Sequence, residues 1–178
     1  LYIGTTSSLS VVPHLYSKLP FDAERDFAPV SLLGVLNTGL IATPGVEARD
    51  ARALIAALKA RPDSVAVATA GIGSYSHLSA LWFNSAAGVK TNLVPYNSSS
   101  PYVDLIAGQV QLMFDGLPAA AGNIHTGKLK LLAITGKERA PSFPDVPTFA
   151  EAGLPDYAPI AWQGLLAPAG TPKPVLEK

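Results

Sequence analysis

Ser74, Ser76, His77 and Asp115 are the residue types of nucleophilic catalysis, and the first three stand within four positions of one another. A hydroxyl nucleophile needs a base and an orienting carboxylate within hydrogen-bond reach, usually with the serine on a strained elbow. The elbow string G-x-S-x-G is absent, the local order being Gly71-Ile72-Gly73-Ser74-Tyr75. His77 lies three residues beyond Ser74, on the helical side of a turn, where capping or packing explains it. No catalytic residue is therefore assigned, and no enzyme is expected. His14, His77 and His125 are scattered with no H-x-x-x-H spacing, so no metal site is expected either. His125 falls in the last turn of an expected helix, where a cation is favoured. The sequence has no cysteine, which removes disulfides and thiolate ligands.

The chemistry that remains is anion binding. An apolar run at 65–68 leads into Thr69-Ala70-Gly71-Ile72-Gly73-Ser74, and Leu78, Leu81 and Trp82 follow at helical spacing. A strand, a small-residue turn and a helix start, in that order, aim unpaired backbone N–H groups beyond the strand end. The positive end of the helix dipole points the same way, so a carboxylate or phosphate is stabilised there. Gly71 and Gly73 open the backbone to an anion; Thr69, Ser74 and Ser76 add hydroxyls. An ordinary strand–helix connection is the alternative. No cofactor is expected, because no third glycine completes a dinucleotide fingerprint and no G-x-x-x-x-G-K-[ST] occurs. Asp115 ends the apolar stretch 110–114, and two readings stay open for it: cap of the helix opening near Pro118, or a ligand contact. Trp82 and Phe83 read as core; Trp162 reads either as cleft lining or as hinge packing.

The elements that must position these groups follow from pattern. Asp50 caps a helix that ends before Pro62, and residues 76–87 form a helix closed by Gly88. Ser100 is placed as the cap of a helix with Pro101 at its first position and Gly108 past its end. Strands are expected at 1–4, 65–70, 92–96, 110–115, 129–134 and 160–167, with 30–43 as one long or two consecutive strands. A hydroxyl-rich turn, Thr5-Thr6-Ser7-Ser8, follows the first strand. The β-α alternation implies an α/β fold with mostly parallel sheets. Two long strands bracketing a whole α/β unit suggest two crossings between domains: 1–41 as part of the first, 42–158 as the second, 159–178 as the return. Ligands in such sheets bind beyond the strands' C-terminal ends, where Thr5–Ser8, Thr69–Ser74, Tyr96, Asn97 and Asp115 would gather in a cleft.

Of 178 residues, 48% are hydrophobic and 15% charged, with 13 basic against 13 acidic side chains. A core can form, and without a basic stripe nucleic acid is not an expected partner. No apolar run approaches the roughly 18 residues of a membrane span. The chain opens directly on a strand and stops after about one helical turn, so it is expected to be an internal piece of a longer protein.

Tyr2-Ile3-Gly4-Thr5-Thr6-Ser7, Leu19-Pro20-Phe21-Asp22, Asp26-Phe27-Ala28-Pro29-Val30-Ser31, Ala70-Gly71-Ile72-Gly73-Ser74 with Ser76-His77-Leu78, Val94-Pro95-Tyr96, Met113-Phe114-Asp115 and Asp145-Val146-Pro147-Thr148 resemble, in order, the Bug (TctC-like) periplasmic receptors of tripartite tricarboxylate transporters. The resemblance implies a type II periplasmic-binding-protein fold of two α/β domains joined by two crossing strands, one domain only partly present. It implies an exported, periplasmic solute-binding receptor that closes on a small carboxylate (an amino acid, an aromatic acid, or a di- or tricarboxylic acid) and delivers it to membrane permease subunits. Carried over residue by residue, ligand contacts fall on Thr69, Ala70, Gly71, Gly73 and Ser74, with Thr6 and Ser7 from the first domain. Asp115 would approach the variable part of the ligand; His77 matches a family position and reads equally as a helix-start residue. Asn97 stands where a basic residue is common, which speaks against assuming a dianionic ligand. A ligand-sensing regulatory domain of the same fold is the alternative function.

Overall fold

A computed structural model describes residues 1–97 and 100–177. The chain divides into two compact units, residues 37–159 forming one and residues 1–36 with 160–178 the other.

In the 37–159 unit the strands are β3 (Thr38–Ala42), β4 (Ala66–Thr69), β5 (Asn92–Pro95), β6 (Leu112–Gly116) and β7 (Lys130–Ile134), in sheet order β5-β4-β6-β3-β7. β4 runs parallel to β5 and to β6, while β3 is antiparallel to both β6 and β7. Four strands thus share one direction and β3 opposes them. Helices α2 (Ala51–Ala60), α3 (Tyr75–Ala87), α4 (Tyr102–Ala107) and α5 (Leu117–His125) connect them.

Period-two alternation explains the layering. Leu40, Val67 and Phe114 join one buried cluster with Leu54 and Leu58 of α2 and Phe83 of α3. Their chain neighbours Ile41, Ala68 and Met113 join the other, with Leu105 of α4 and Leu117 and Ala120 of α5. The strands β3, β4 and β6 therefore bury both faces, and the sheet carries helices on both. Phe83, Phe114, Phe149 and Tyr157 fill the first cluster with ring centroids 4.6–6.3 Å apart.

Local signals set the helix ends. Asp50 accepts from the Ala53 N–H and caps α2, and Gly88 closes α3 at φ 61°. Gly108 closes α4 at φ 77°, but at the other end Pro101 holds the N-cap place, without a side-chain bond. Ser100, expected in that role, is one residue too early, because the helix begins at Tyr102 rather than at the proline.

In the other unit β8 (Ala161–Pro168) lies between β1 (Tyr2–Thr5) and β2 (Phe27–Leu36), antiparallel to both. This corrects the expectation of a mostly parallel sheet in each domain. β2 leads the chain out of the unit and β8 leads it back in, so as neighbours they point in opposite directions. A six-residue π-helical turn (Thr6–Val11) and the short α1 (Val12–Leu15) follow β1, and α6 (Lys173–Leu176) ends the unit. The 30–43 stretch is two strands, β2 and β3, separated by Asn37. β3 pairs with β6 and β7, so the chain divides at 36/37, where pattern alone placed the division at 41/42. Among the described residues no helix is long and apolar enough to cross a membrane.

Candidate functional site

β4 ends at Thr69, buried to 0% exposure, and the chain turns through Ala70–Gly73 before Ser74 caps α3. Gly71 and Gly73 take φ of 103° and 78°, a region L side chains rarely adopt. The Ser74 N–H donates to the Gly71 carbonyl, and the Ser74 hydroxyl accepts from the His77 N–H at 3.2 Å. The Ser76 hydroxyl accepts from the Ala70 N–H at 2.9 Å and lies 3.1 Å from the Ser74 hydroxyl. Two serines therefore lock the turn to the first turn of α3. Among the described residues the N–H groups of Gly71, Ile72 and Gly73 have no hydrogen-bond partner. Such a run of unpaired donors at a helix start is a ready anion cradle.

Neighbouring strand ends bring further groups to this edge. The Tyr96 N–H donates to the Thr69 carbonyl at 2.8 Å, carrying β5 alongside the turn. A Cβ on Gly71 would stand 2.8 Å from Asn97 Oδ1, so the Asn97 amide backs the turn. The Tyr96 hydroxyl donates to Asp104 at 2.7 Å and is occupied there. On β6, one strand over from β4, Asp115 accepts from the Tyr102 hydroxyl at 2.8 Å and from the Gly116 N–H. Burial, and then the Asp115 charge, push the Tyr102 phenol well above the usual tyrosine range. Gly116, not Asp115, occupies the N-cap place of α5, which closes the capping alternative for Asp115. Its carboxylate is instead held in place at the strand end.

No Ser–His–Asp relay forms. The His77 ring faces the Thr69 hydroxyl, with Nδ1 3.4 Å from Oγ1, the Ser74 hydroxyl caps the helix, and Asp115 is held by Tyr102. Among the described residues no group of three or more His, Cys, Asp or Glu is placed to hold a metal. Thr6 belongs to the other unit, where its hydroxyl donates to the Ile160 carbonyl and accepts from the Trp162 N–H, tying the turn to β8. Ser7 lies in the same turn, half-buried. Thr5 and Ser8 close a reciprocal capping box around it. Two residues that pattern did not single out, Tyr75 and Tyr102, anchor the site, because their partners lie 13 to 84 positions away in sequence.

An α/β unit with a glycine turn at the C-terminal strand edge, entered and left by long strands, has the fold of the periplasmic-binding-protein class. Residues 2–178 match the family described as "Tripartite tricarboxylate transporter family receptor", and the chain belongs to that family. It is 36% identical over 172 residues to Protein BugT of Bordetella pertussis, covering 96% of this chain and 53% of that protein. Among solved structures it is similar to MatC of Rhodopseudomonas palustris with bound malate, at 35% identity and a TM-score of 0.86, covering 98% of this chain and 60% of that one. It is also similar to Rpa4515 of R. palustris with adipate, at 33% identity and a TM-score of 0.90, covering 98% and 59%. The chain spans about half the length of the curated relatives it matches.

Proposed function

We propose that this chain is part of a periplasmic solute-binding receptor that captures a small carboxylate and hands it to the membrane subunits of a tripartite transporter. The observation that carries the reading is the turn at 70–74, where two positive-φ glycines flank consecutive N–H groups that have no partner among the described residues, at the start of a 13-residue helix. A carboxylate there receives charge-assisted hydrogen bonds together with the favourable end of the helix dipole. Malate and adipate in the R. palustris structures support the ligand class.

In this reading Gly71, Ile72 and Gly73 offer backbone N–H groups, the Ala70 N–H being held by Ser76, and Thr69, Ser74 and His77 order the turn and its hydroxyls. Asp115, held by Tyr102, accepts a hydrogen bond from a donor elsewhere on the ligand. Thr6 and Ser7 enter on the family resemblance alone. No bond is made or broken; the protein is a receptor and not an enzyme, and ligand contacts select one of its conformations.

The test is a thermal-shift screen of the full gene product against malate, adipate, glutamate, nicotinate and citrate. A ligand at 100 times its Kd stabilises by about 2.7 kcal/mol, which raises Tm by roughly 4 °C in a protein of the relatives' length, about twice that of this chain. A shift with at least one carboxylate and none with its amide or ester supports the receptor. No shift with any carboxylate refutes it.

A further inference from the structure

Tyr75 is the first residue of α3, directly after the Ser74 cap. Its hydroxyl donates to the Pro159 carbonyl at 3.1 Å, and with its one proton so used it accepts from the Thr38 hydroxyl at 2.9 Å. These two partners are not arbitrary points on the unit. The 37–159 unit begins at Asn37 and ends at Pro159, so Thr38 and Pro159 stand where the chain enters and leaves it. Thr38 is buried and fixed to β7: its N–H donates to the Thr135 hydroxyl at 2.9 Å, and the Thr135 N–H returns to the Thr38 carbonyl at 2.8 Å. One phenol therefore holds both chain crossings at the point where α3 starts.

We propose that Tyr75 is a positioning residue that couples the anion turn to the two segments by which the chain enters and leaves this unit. Carboxylate capture at the turn and rearrangement of those segments are then one linked event. The linkage is short. Ser76 holds Ala70 and Ser74 holds His77, so the turn and the helix start move as one piece, and the tyrosine ring is a rigid arm on that piece. A displacement of the Pro159 carbonyl must either carry the ring with it or break the bond. The inference rests on the receptor reading for its purpose, and on the Thr38–Tyr75–Pro159 geometry for its substance. Burial also raises the phenol's pKa, so the proton that makes the bond stays in place through the neutral range.

The experiment is amide hydrogen exchange on the full gene product without ligand, comparing Tyr75→Phe with wild type. Exchange is expected to quicken by about fivefold to a hundredfold, the loss of the two net hydrogen bonds of the phenol. It should do so together at the bonded amides of Ala70, Ser74 and His77, around Thr38 and in the residues just after Pro159, while the amides of 67–68 and 112–114 stay unchanged. Thr38→Val should reproduce part of the effect, Thr38→Ser should not, and Tyr75→Phe with Thr38→Val should equal Tyr75→Phe alone. Acceleration confined to the helix start, spread evenly over the unit, or additive in the double variant overturns the proposal. If Tyr75→Phe does not fold, the Thr38→Val and Thr38→Ser pair decides by the same criterion. Calorimetry with malate and glutamate separates the two claims. Failure of the wild type to bind either refutes their capture by the receptor, whereas the exchange pattern alone decides the coupling.

Discussion

Gly71→Ala is the sharpest perturbation of the 70–74 turn. Its φ of 103° lies where a Cβ brings strain, and the new methyl would stand 2.8 Å from Asn97 Oδ1. The Asn97 side chain is exposed and can swing away at small cost, so backbone strain dominates, at about 1–3 kcal/mol. A domain stable by the usual 5–15 kcal/mol survives that loss. Binding should suffer separately. Relieving the strain at φ 103° turns at least one N–H of the turn away from a carboxylate, and a hydrogen bond to a charged group contributes about 1.5–3 kcal/mol, which is roughly tenfold to a hundredfold in Kd. Gly88→Ala is the matched control: the same helix, its other end, φ 61° and nothing within 4 Å of the new Cβ. Its strain costs about 1–2 kcal/mol, with no reason to touch the ligand. Urea unfolding measures the strain in both variants, and calorimetry with the best carboxylate measures the affinity. Comparable destabilisation with affinity lost only in Gly71→Ala supports the turn as the anion site. Equal affinity in the two variants refutes it.

Ser74→Ala removes the acceptor for the His77 N–H and should cost about 0.5–2 kcal/mol in urea unfolding, with Ser74→Thr recovering most of it. Phe149→Ala opens a void among Phe83, Phe114 and Tyr157 and should destabilise by about 3–5 kcal/mol in the same assay. Burial raises the Tyr157 phenol far above its unfolded value near 10, so its contribution is complete below that pH and fades as pH rises toward the folded value. Stability should therefore fall above pH 10, by up to about 1.4 kcal/mol per pH unit for this group. Tyr157→Phe should flatten the decline measured by urea midpoints between pH 9 and 11.5.

The local grammar of the large unit was legible in the sequence. Asp50, Gly88 and Gly108 mark helix ends by side-chain capping and positive φ, and the Thr69–Ser76 stretch announces its turn because glycine and hydroxyl residues crowd there. Long-range matters were not. The apolar run of β3 reads the same in either direction, and only pairing with β6 and β7 assigns it to this unit and reverses it. The antiparallel sheet of β1, β8 and β2 depends on a partner strand more than a hundred residues away. Thr6 entered as a candidate ligand contact through the family resemblance. Its contacts to Ile160 and Trp162 are set by tertiary structure that no local pattern encodes. Tyr75 and Tyr102 were missed for the same reason: an aromatic at a helix start carries no sign of the carbonyl or carboxylate its hydroxyl will meet.

Backbone N–H groups of the 70–74 turn should receive the ligand's carboxylate. Amide chemical shifts of the isotope-labelled full gene product, followed during titration with the carboxylate that gives the largest thermal shift, test it directly. The Gly71, Ile72 and Gly73 amides should move downfield and saturate together at the calorimetric Kd. Saturable binding that leaves those three amides unmoved would contradict that contact.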